Sequence, residues 1–381
     1  MTEITSEITL IGNDFDERLH DGIGRYSHEL YKNMLRLGYE PYAISVDDLF
    51  KNPILNNIPK IRYFYRIYKR LTVGRKKVKN VKAEILHLMS PEQSIVVGKT
   101  QAKAICTTWH DNMLLTRYTK GLKYKVINKY QIYGAYRAYK ISDAIISVSS
   151  QTQQEMQDYF KQKGLYDDTK IYKVISHGVD NIFLNKEPYK DDRTDFVYIG
   201  AINYSHKNLD GLLEAFSDIL LRDTRQNLHI FTSTNNAQKI LEEALSHFID
   251  ERMYKQVILH YKASDEEIIE YTRKAVALLH LSMEEGFGLP ILEAMALGTP
   301  VITLEVAKIP EEVRKYAYKE ADYLKVVDRA DKLINANKPL SKEAIDYAKS
   351  FTWERTAKET AEFYNYVLGQ VHINKIKMLN W

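Results

Sequence analysis

The sequence predicts an α/β protein of two Rossmann-like domains, each a parallel sheet wrapped by helices, facing one another across a cleft. Three observations predict it. A chain of 381 residues, 45% hydrophobic and 27% charged, is too long for one ordinary core and long enough for two that each bury their own. Short β-rich runs alternate with longer amphipathic patterns throughout, as a parallel sheet with crossover helices requires. The alternation falls into two series, separated by a polar stretch at residues 177–194 that reads as a linker.

The first series comprises residues 7–11, 41–46, 84–89, 104–108, 143–148 and 170–175, with amphipathic helical patterns such as 26–37 between them. The second comprises residues 195–200, 227–232, 256–261, 277–281, 300–304 and 322–327. Its helices carry start and stop signals. Ser264 with Glu267 three positions on forms a capping box, Pro290 suits the first helical position, and Gly298 suits a left-handed residue at a helix end. The expected boundaries are 1–178 for the first domain and 179–355 for the second, followed by a C-terminal helix at 356–381. In open parallel sheets ligands bind beyond the carboxyl ends of the strands, so chemistry-bearing motifs are expected there.

Composition narrows the function. The lone cysteine, Cys106, cannot form an internal disulfide, and the N-terminus lacks the basic, apolar and small-residue order of a signal peptide. No apolar run approaches the roughly 20 residues that span a bilayer. The expectation is a cytoplasmic protein, soluble or peripheral at the inner membrane face. A net charge of +4, against 54 basic and 50 acidic residues, argues against a nucleic-acid partner. Locally, residues 60–82 hold ten Lys or Arg and no acid, interleaved with Tyr63, Phe64, Tyr65 and Tyr68. This stretch is either a solvated face or a surface for an anionic leaflet or a phosphate-bearing acceptor.

The sharpest local signal is residues 282–301, SMEEGFGLPILEAMALGTPV, after the expected strand 277–281. Gly286 and Gly288 let backbone approach a ligand closely, the helix start at 289–292 offers unpaired N–H groups, and Glu285 and Glu293 stand eight positions apart. Together they suit a sugar diphosphate. The purely structural alternative makes Glu293 a helix-dipole partner and Gly298 a helix stop, and leaves both earlier glycines without a purpose.

This stretch resembles the E-x7-E signature of the retaining GT-B glycosyltransferases of family 4. The resemblance implies that Glu293 accepts hydrogen bonds from the nucleotide ribose and Glu285 binds hexose hydroxyls, while the backbone of Gly286, Phe287, Gly288 and Leu289 meets hexose and phosphate. Residues 198–216, YIGAINYSHKNLDGLLEAF, resemble the donor-phosphate loop of the same family. Lys207 falls on the lysine that neutralises the leaving diphosphate. Six residues earlier the family usually has an arginine, and this chain has Ala201; His206 and Arg25 are the basic groups that could take its place.

In the first domain, Gly22 and Gly24 of DGIGRY stand at an expected helix start, where the resemblance makes them donor-phosphate contacts and the plain reading makes them an ordinary turn. The family commonly has two adjacent glycines there, and Asp21 occupies the first place. His110 ends the fourth expected strand, where the resemblance places a histidine that touches the transferred sugar. Residues 146–152, which include Ser149, resemble the family's exit strand, 176–180 its interdomain turn, and 351–368 the helix that crosses back to the first domain. Asp14 and Asp16 form a D-x-D in the loop after the first strand, read as loop acid because D-x-D binds metal in a different, single-domain architecture.

The resemblance implies a first domain that binds acceptor and a second that binds a nucleotide-diphosphate sugar of UDP or GDP type, with no other cofactor and no metal. The expected reaction is hexose transfer with retention to a glycan or lipid-linked acceptor. Two alternatives remain: a scaffold that binds nucleotide sugar with little turnover, and a nucleotide-sugar epimerase.

Overall fold

The computed structural model describes residues 4–13, 15, 22–46, 68, 81–110 and 122–379. Asp14, Asp16, Asp21 and nearly all of the basic stretch 60–82 lie outside them. The chain forms two compact units, one of Met1–Gly178 with Trp353–Trp381 and one of Val179–Thr352.

In the first unit six parallel strands stand in the order β2-β1-β3-β4-β5-β6: β1 (Ile4–Gly12), β2 (Tyr42–Ser45), β3 (Val81–Leu88), β4 (Ala104–Trp109), β5 (Ala144–Ser147) and β6 (Ile171–Val174). The two-residue period of a strand splits each one between two cores. Leu10 and Ile85 face one cluster with Tyr26, Leu30 and Met34 of the helix Gly22–Arg36; Ile11 and Leu86 face the other with Val96 and Val97. The first cluster is completed from the far end of the chain. The helix Trp353–Leu379 brings Trp353, Ala357, Phe363, Tyr364 and Val367 into it.

A buried polar chain runs through that core. His87 hydrogen-bonds the Tyr364 hydroxyl through Nδ1 at 2.5 Å and Thr108 Oγ1 through Nε2 at 2.7 Å, and Thr108 Oγ1 also meets Tyr26 Oη at 2.9 Å. Every polar atom here has been taken out of water, so each requires such a partner.

The second unit is a sheet of order β12-β11-β10-β7-β8-β9. Its strands are β7 (Phe196–Ile199), β8 (Leu228–Thr232), β9 (Val257–Tyr261), β10 (Ala277–Leu279), β11 (Val301–Leu304) and β12 (Tyr318–Glu320). All the pairings are parallel. Four readings of the sequence are corrected. The sixth strand is Tyr318–Glu320, and residues 322–327 open the helix Tyr323–Ala336 instead, because Asp322 accepts a cap hydrogen bond from the Lys325 N–H at 2.9 Å and Val326, Ala330 and Leu333 share one buried helical face. Ser264 caps its helix as expected, accepting from the Glu267 N–H at 3.2 Å, but the Glu267 carboxylate turns to His260 Nδ1 at 2.8 Å rather than closing a box. Pro290 is the second helical residue, since Leu289 opens that helix.

The stretch 177–194 is not a free linker. The units divide at Gly178 and Val179, and the following residues pack into the second unit. There the buried Arg193 donates to the carbonyls of Arg273, Ala275 and Gly298 at 2.9, 3.0 and 3.1 Å. Burial, helped by the charge of Arg273, pushes its guanidinium down to about 10. Gly298 has φ +79°, and a Cβ there would stand 2.8 Å from Pro188 Cβ, so glycine serves both the helix stop and the close approach.

Candidate functional site

The second sheet reverses direction at β7. From β7 the chain builds β8 and β9 on one side, then crosses to place β10 on the other. Loops leaving the carboxyl ends of the adjacent strands β7 and β10 therefore stand side by side at the edge where open α/β sheets bind ligands. Lys207 lies on the first loop and Glu285 on the second.

These loops are knitted together by backbone. Met283 N–H donates to His206 O at 2.7 Å, Lys308 N–H to Met283 O at 2.9 Å and Glu285 N–H to Lys308 O at 2.9 Å. Asn208 sits in the left-handed region at φ 58°, and its side-chain amide donates to Leu281 O at 2.8 Å and to Tyr323 Oη at 2.9 Å. One residue earlier, Lys207 Nζ reaches both carboxylate oxygens of Glu285, at 2.7 and 2.8 Å. The pair is largely shielded, with side chains 19% and 11% exposed. His280, at the end of β10, adds Nε2 against Glu285 Oε1 at 3.1 Å. Burial by itself would raise the Glu285 carboxyl; the Lys207 charge and the His280 hydrogen bond overcome it and hold the group well below the usual carboxylate range. Glu285 is thus an anion and Lys207 its counter-ion.

Gly288 caps the helix Leu289–Ala296 at φ 99°, a conformation that glycine adopts without penalty. Phe287 beside it is buried, with its ring centroid 6.4 Å from that of Phe351, and Gly286 is half-buried. Glu293 is buried in the second turn of that helix, and Leu289 is half-buried at its start. The structure thus brings Lys207, Glu285, Gly286, Phe287, Gly288, Leu289 and Glu293 into one unit, with Lys207 and Glu285 in direct contact.

His206, one of the two basic groups the sequence offers in place of an arginine at Ala201, stands beside Lys207 on the loop after β7. Burial, and then the neighbouring Lys207 charge, push its imidazole below the ordinary histidine value. Its ring stacks on Tyr204, with centroids 5.5 Å apart. Arg25 belongs to the first unit, in the helix Gly22–Arg36.

Gly22 and Gly24 open that same helix; Gly22 is exposed with nothing within 4 Å of the place a Cβ would take, and Gly24 is buried. His110 follows β4, its ring against Tyr26 at 4.7 Å between centroids. Its Nε2 lies 2.6 Å from Met89 O, an acceptor only, so Nε2 carries the proton; Nδ1 then accepts from His177 Nε2–H at 3.2 Å. Burial pushes His110 down to about 4, and the ring is neutral at neutral pH.

The sequence reading missed four residues. His280 sits unmarked inside the apolar run LLHLS, and Asn208 and Tyr323 act through contacts between distant segments. Gly211 is the fourth, because a Cβ there would stand 2.2 Å from Tyr323 Oη and 2.7 Å from Asn208 Oδ1. Gly211→Ala is therefore expected to cost about 1–3 kcal/mol in urea unfolding, the usual range for overpacking. It is also expected to lower kcat by displacing Asn208 beside Lys207; unchanged stability and rate would refute the contact.

Among the described residues, no group of three His, Cys, Asp or Glu side chains could hold a metal ion, and no helix is long and apolar enough to cross a membrane.

Comparison with known proteins matches the whole of this architecture. The family model "Glycosyl transferases group 1" matches residues 180–351, and "Glycosyltransferase Family 4" matches residues 20–181. An uncharacterized glycosyltransferase of Methanocaldococcus jannaschii is 23% identical over 350 residues, 86% of this chain and 88% of its own length. A D-inositol 3-phosphate glycosyltransferase of Streptomyces bingchenggensis is 33% identical over 108 residues, which span 26% of this chain and only 24% of that relative. In fold, sucrose-phosphate synthase of Thermosynechococcus elongatus superposes with a TM-score of 0.72 at 16% identity, over 96% of this chain and 100% of that one. With two family models spanning residues 20–351 between them and the same two-sheet fold, the chain belongs to the family 4 type of GT-B glycosyltransferases.

Proposed function

We propose that this glycosyltransferase moves a hexose from a nucleotide-diphosphate sugar to a hydroxyl of a glycan or lipid-linked acceptor, with retention of anomeric configuration. The observation that carries the reading is the shielded Lys207–Glu285 pair beside the glycine-capped helix Leu289–Ala296, at the point where the second sheet reverses. A cation and a helix N-terminus together suit a diphosphate, and a fixed carboxylate suits sugar hydroxyls. In this reading Glu293 takes the ribose hydroxyls and Lys207 meets charge as the diphosphate departs. The acceptor hydroxyl attacks from the face the diphosphate leaves, and the departing phosphate takes its proton.

A panel of UDP- and GDP-sugars scored by thermal shift tests the donor, since a ligand that binds only the folded state raises its melting temperature. One nucleotide series is expected to stabilise the protein. Proton NMR of the first-formed product is then expected to show the donor's anomeric configuration. An inverted product would overturn retention, and stabilisation without any transfer would leave a sugar-binding scaffold.

A further inference from the structure

Lys207 alone leaves a diphosphate under-neutralised. Its ammonium already holds both carboxylate oxygens of Glu285, so the pair carries no net charge. A bound diphosphate brings at least two negative charges, and the N-terminal end of the helix Leu289–Ala296 offsets about half of one. The balance calls for a further cation close to that helix start.

The loop after β11 brings one. Lys308 N–H donates to Met283 O and Lys308 O accepts from Glu285 N–H, both at 2.9 Å, so Lys308 pairs with Glu284 as in a parallel sheet. Chains so paired run about 4.8 Å apart, which fixes the Lys308 backbone beside the carboxylate loop. The next residue, Ile309, packs at the helix start: its Cγ2 lies 3.8 Å from the place a Cβ on Gly288 would take, with Val313 Cγ1 at 3.5 Å. Ala307 and Ile309 are buried, and Lys308 between them is exposed. The backbone is thus locked against residues 283–288 while the lysine side chain stays in solvent, one residue from the contact with the glycine cap. Its flexible four-carbon stem gives the ammonium reach over the helix start.

Glu284 is the rival claimant. The same pairing sets Lys308 beside the Glu284 side chain, and that residue is only 2% exposed. As its counter-ion, Lys308 would serve the fold and not a ligand. A lysine committed to a buried carboxylate is drawn in with it, because the pair stabilises most where water is excluded. Lys308 is exposed instead, which favours a ligand.

Resting on the donor reading above, we propose that Lys308 is a second donor-phosphate cation. It meets the diphosphate of the nucleotide sugar at the start of the helix Leu289–Ala296, and Lys207 can then keep its hold on Glu285 while the donor is bound.

Titrations of UDP and GDP, with uridine and guanosine measured by competition, test this through the difference between diphosphate and nucleoside. For the base that wild type prefers, Lys308→Met is expected to raise the diphosphate Kd about tenfold, the lower end for a hydrogen bond to a charged group, and to leave the nucleoside unchanged. Lys308→Arg keeps the charge and is expected to stay within a few-fold of wild type. The loss in Lys308→Met is expected to shrink as salt rises, since an exposed charge is screened. In a Glu284→Gln background, where no carboxylate needs a counter-ion, Lys308→Met is expected to cost the same factor. An unchanged diphosphate Kd in Lys308→Met, an equal loss for nucleoside and diphosphate, Lys308→Arg as weak as Lys308→Met, or no cost in the Glu284→Gln background overturns the inference and leaves the donor reading intact. Should Glu284→Gln fail to fold, the comparison of diphosphate with nucleoside decides alone. Failure of wild type to bind either diphosphate overturns both.

Discussion

Replacing Lys207 by methionine is expected to lower turnover by about a hundred- to a thousandfold, the loss that accompanies removal of one preorganised charge stabiliser. The same substitution is expected to destabilise the second unit by about 3 kcal/mol, at the low end of the usual range for breaking a buried pair because both side chains keep some exposure. The two effects separate in a second variant. Adding Glu285→Gln removes the stranded carboxylate, so urea unfolding is expected to recover most of the lost stability while steady-state rates stay low or fall further. A Lys207→Met protein that turns over within a few-fold of wild type would remove Lys207 from the mechanism. One that is inactive but fully stable would contradict the ion pair.

Mild acid is expected to unfold the first unit. His87, His110 and His177 are all buried there, and burial is the largest cause that holds each of them down, to about 3, to about 4 and well below the ordinary value respectively. The sign follows from proton counts. Below the unfolded-state value of about 6.5 the unfolded chain binds protons that the folded unit refuses, so stability is full above that pH and is lost as pH falls. At about pH 5 each such histidine forgoes on the order of 2 kcal/mol, and the three together approach the whole stability of a typical domain. The Asp167 carboxylate of the same unit, held low by its hydrogen bond from Thr169, acts in the same direction but at lower pH. Both described tryptophans, Trp109 and Trp353, belong to the first unit, so their emission reports that unit. Its midpoint in urea is expected to fall steadily from about pH 6.5 to about pH 4.5. A midpoint that stays flat through this window would mean that the histidines accept protons without unfolding.

What could be read from sequence was local. Strand alternation, the cap at Ser264, the glycine before a helix at Gly288 and the left-handed stop at Gly298 each depend on a few adjacent residues, and their spacing carries the information. The segment DYLKVV was misread for the same reason. Its β-branched pair suggests a strand within six residues, and only Ala330 and Leu333 further on reveal the helical face. The site's energetics are not local. Lys207 and Glu285 meet because a crossover sets β10 beside β7, and no spacing in the chain encodes that adjacency. His280 was invisible for a further reason: one histidine in an apolar run looks like any core residue until the carboxylate beside it is seen. Similarly, Gly211 counts as a weak point in a helix until Tyr323 is found against it.

The first unit is discontinuous, with residues 179–352 inserted between its two parts. That order has a consequence for synthesis. The second unit emerges whole, and a bridge between Val179 and Thr352 joins its two ends, so it can complete every contact it needs while the ribosome is still adding the final helix. The first unit begins earlier and finishes later. Until Trp353 and Tyr364 arrive, the helix Gly22–Arg36 covers one face of its sheet without its packing partner, and His87 waits for its hydroxyl partner. The half of the protein made first is thus the half that must be kept from aggregating longest.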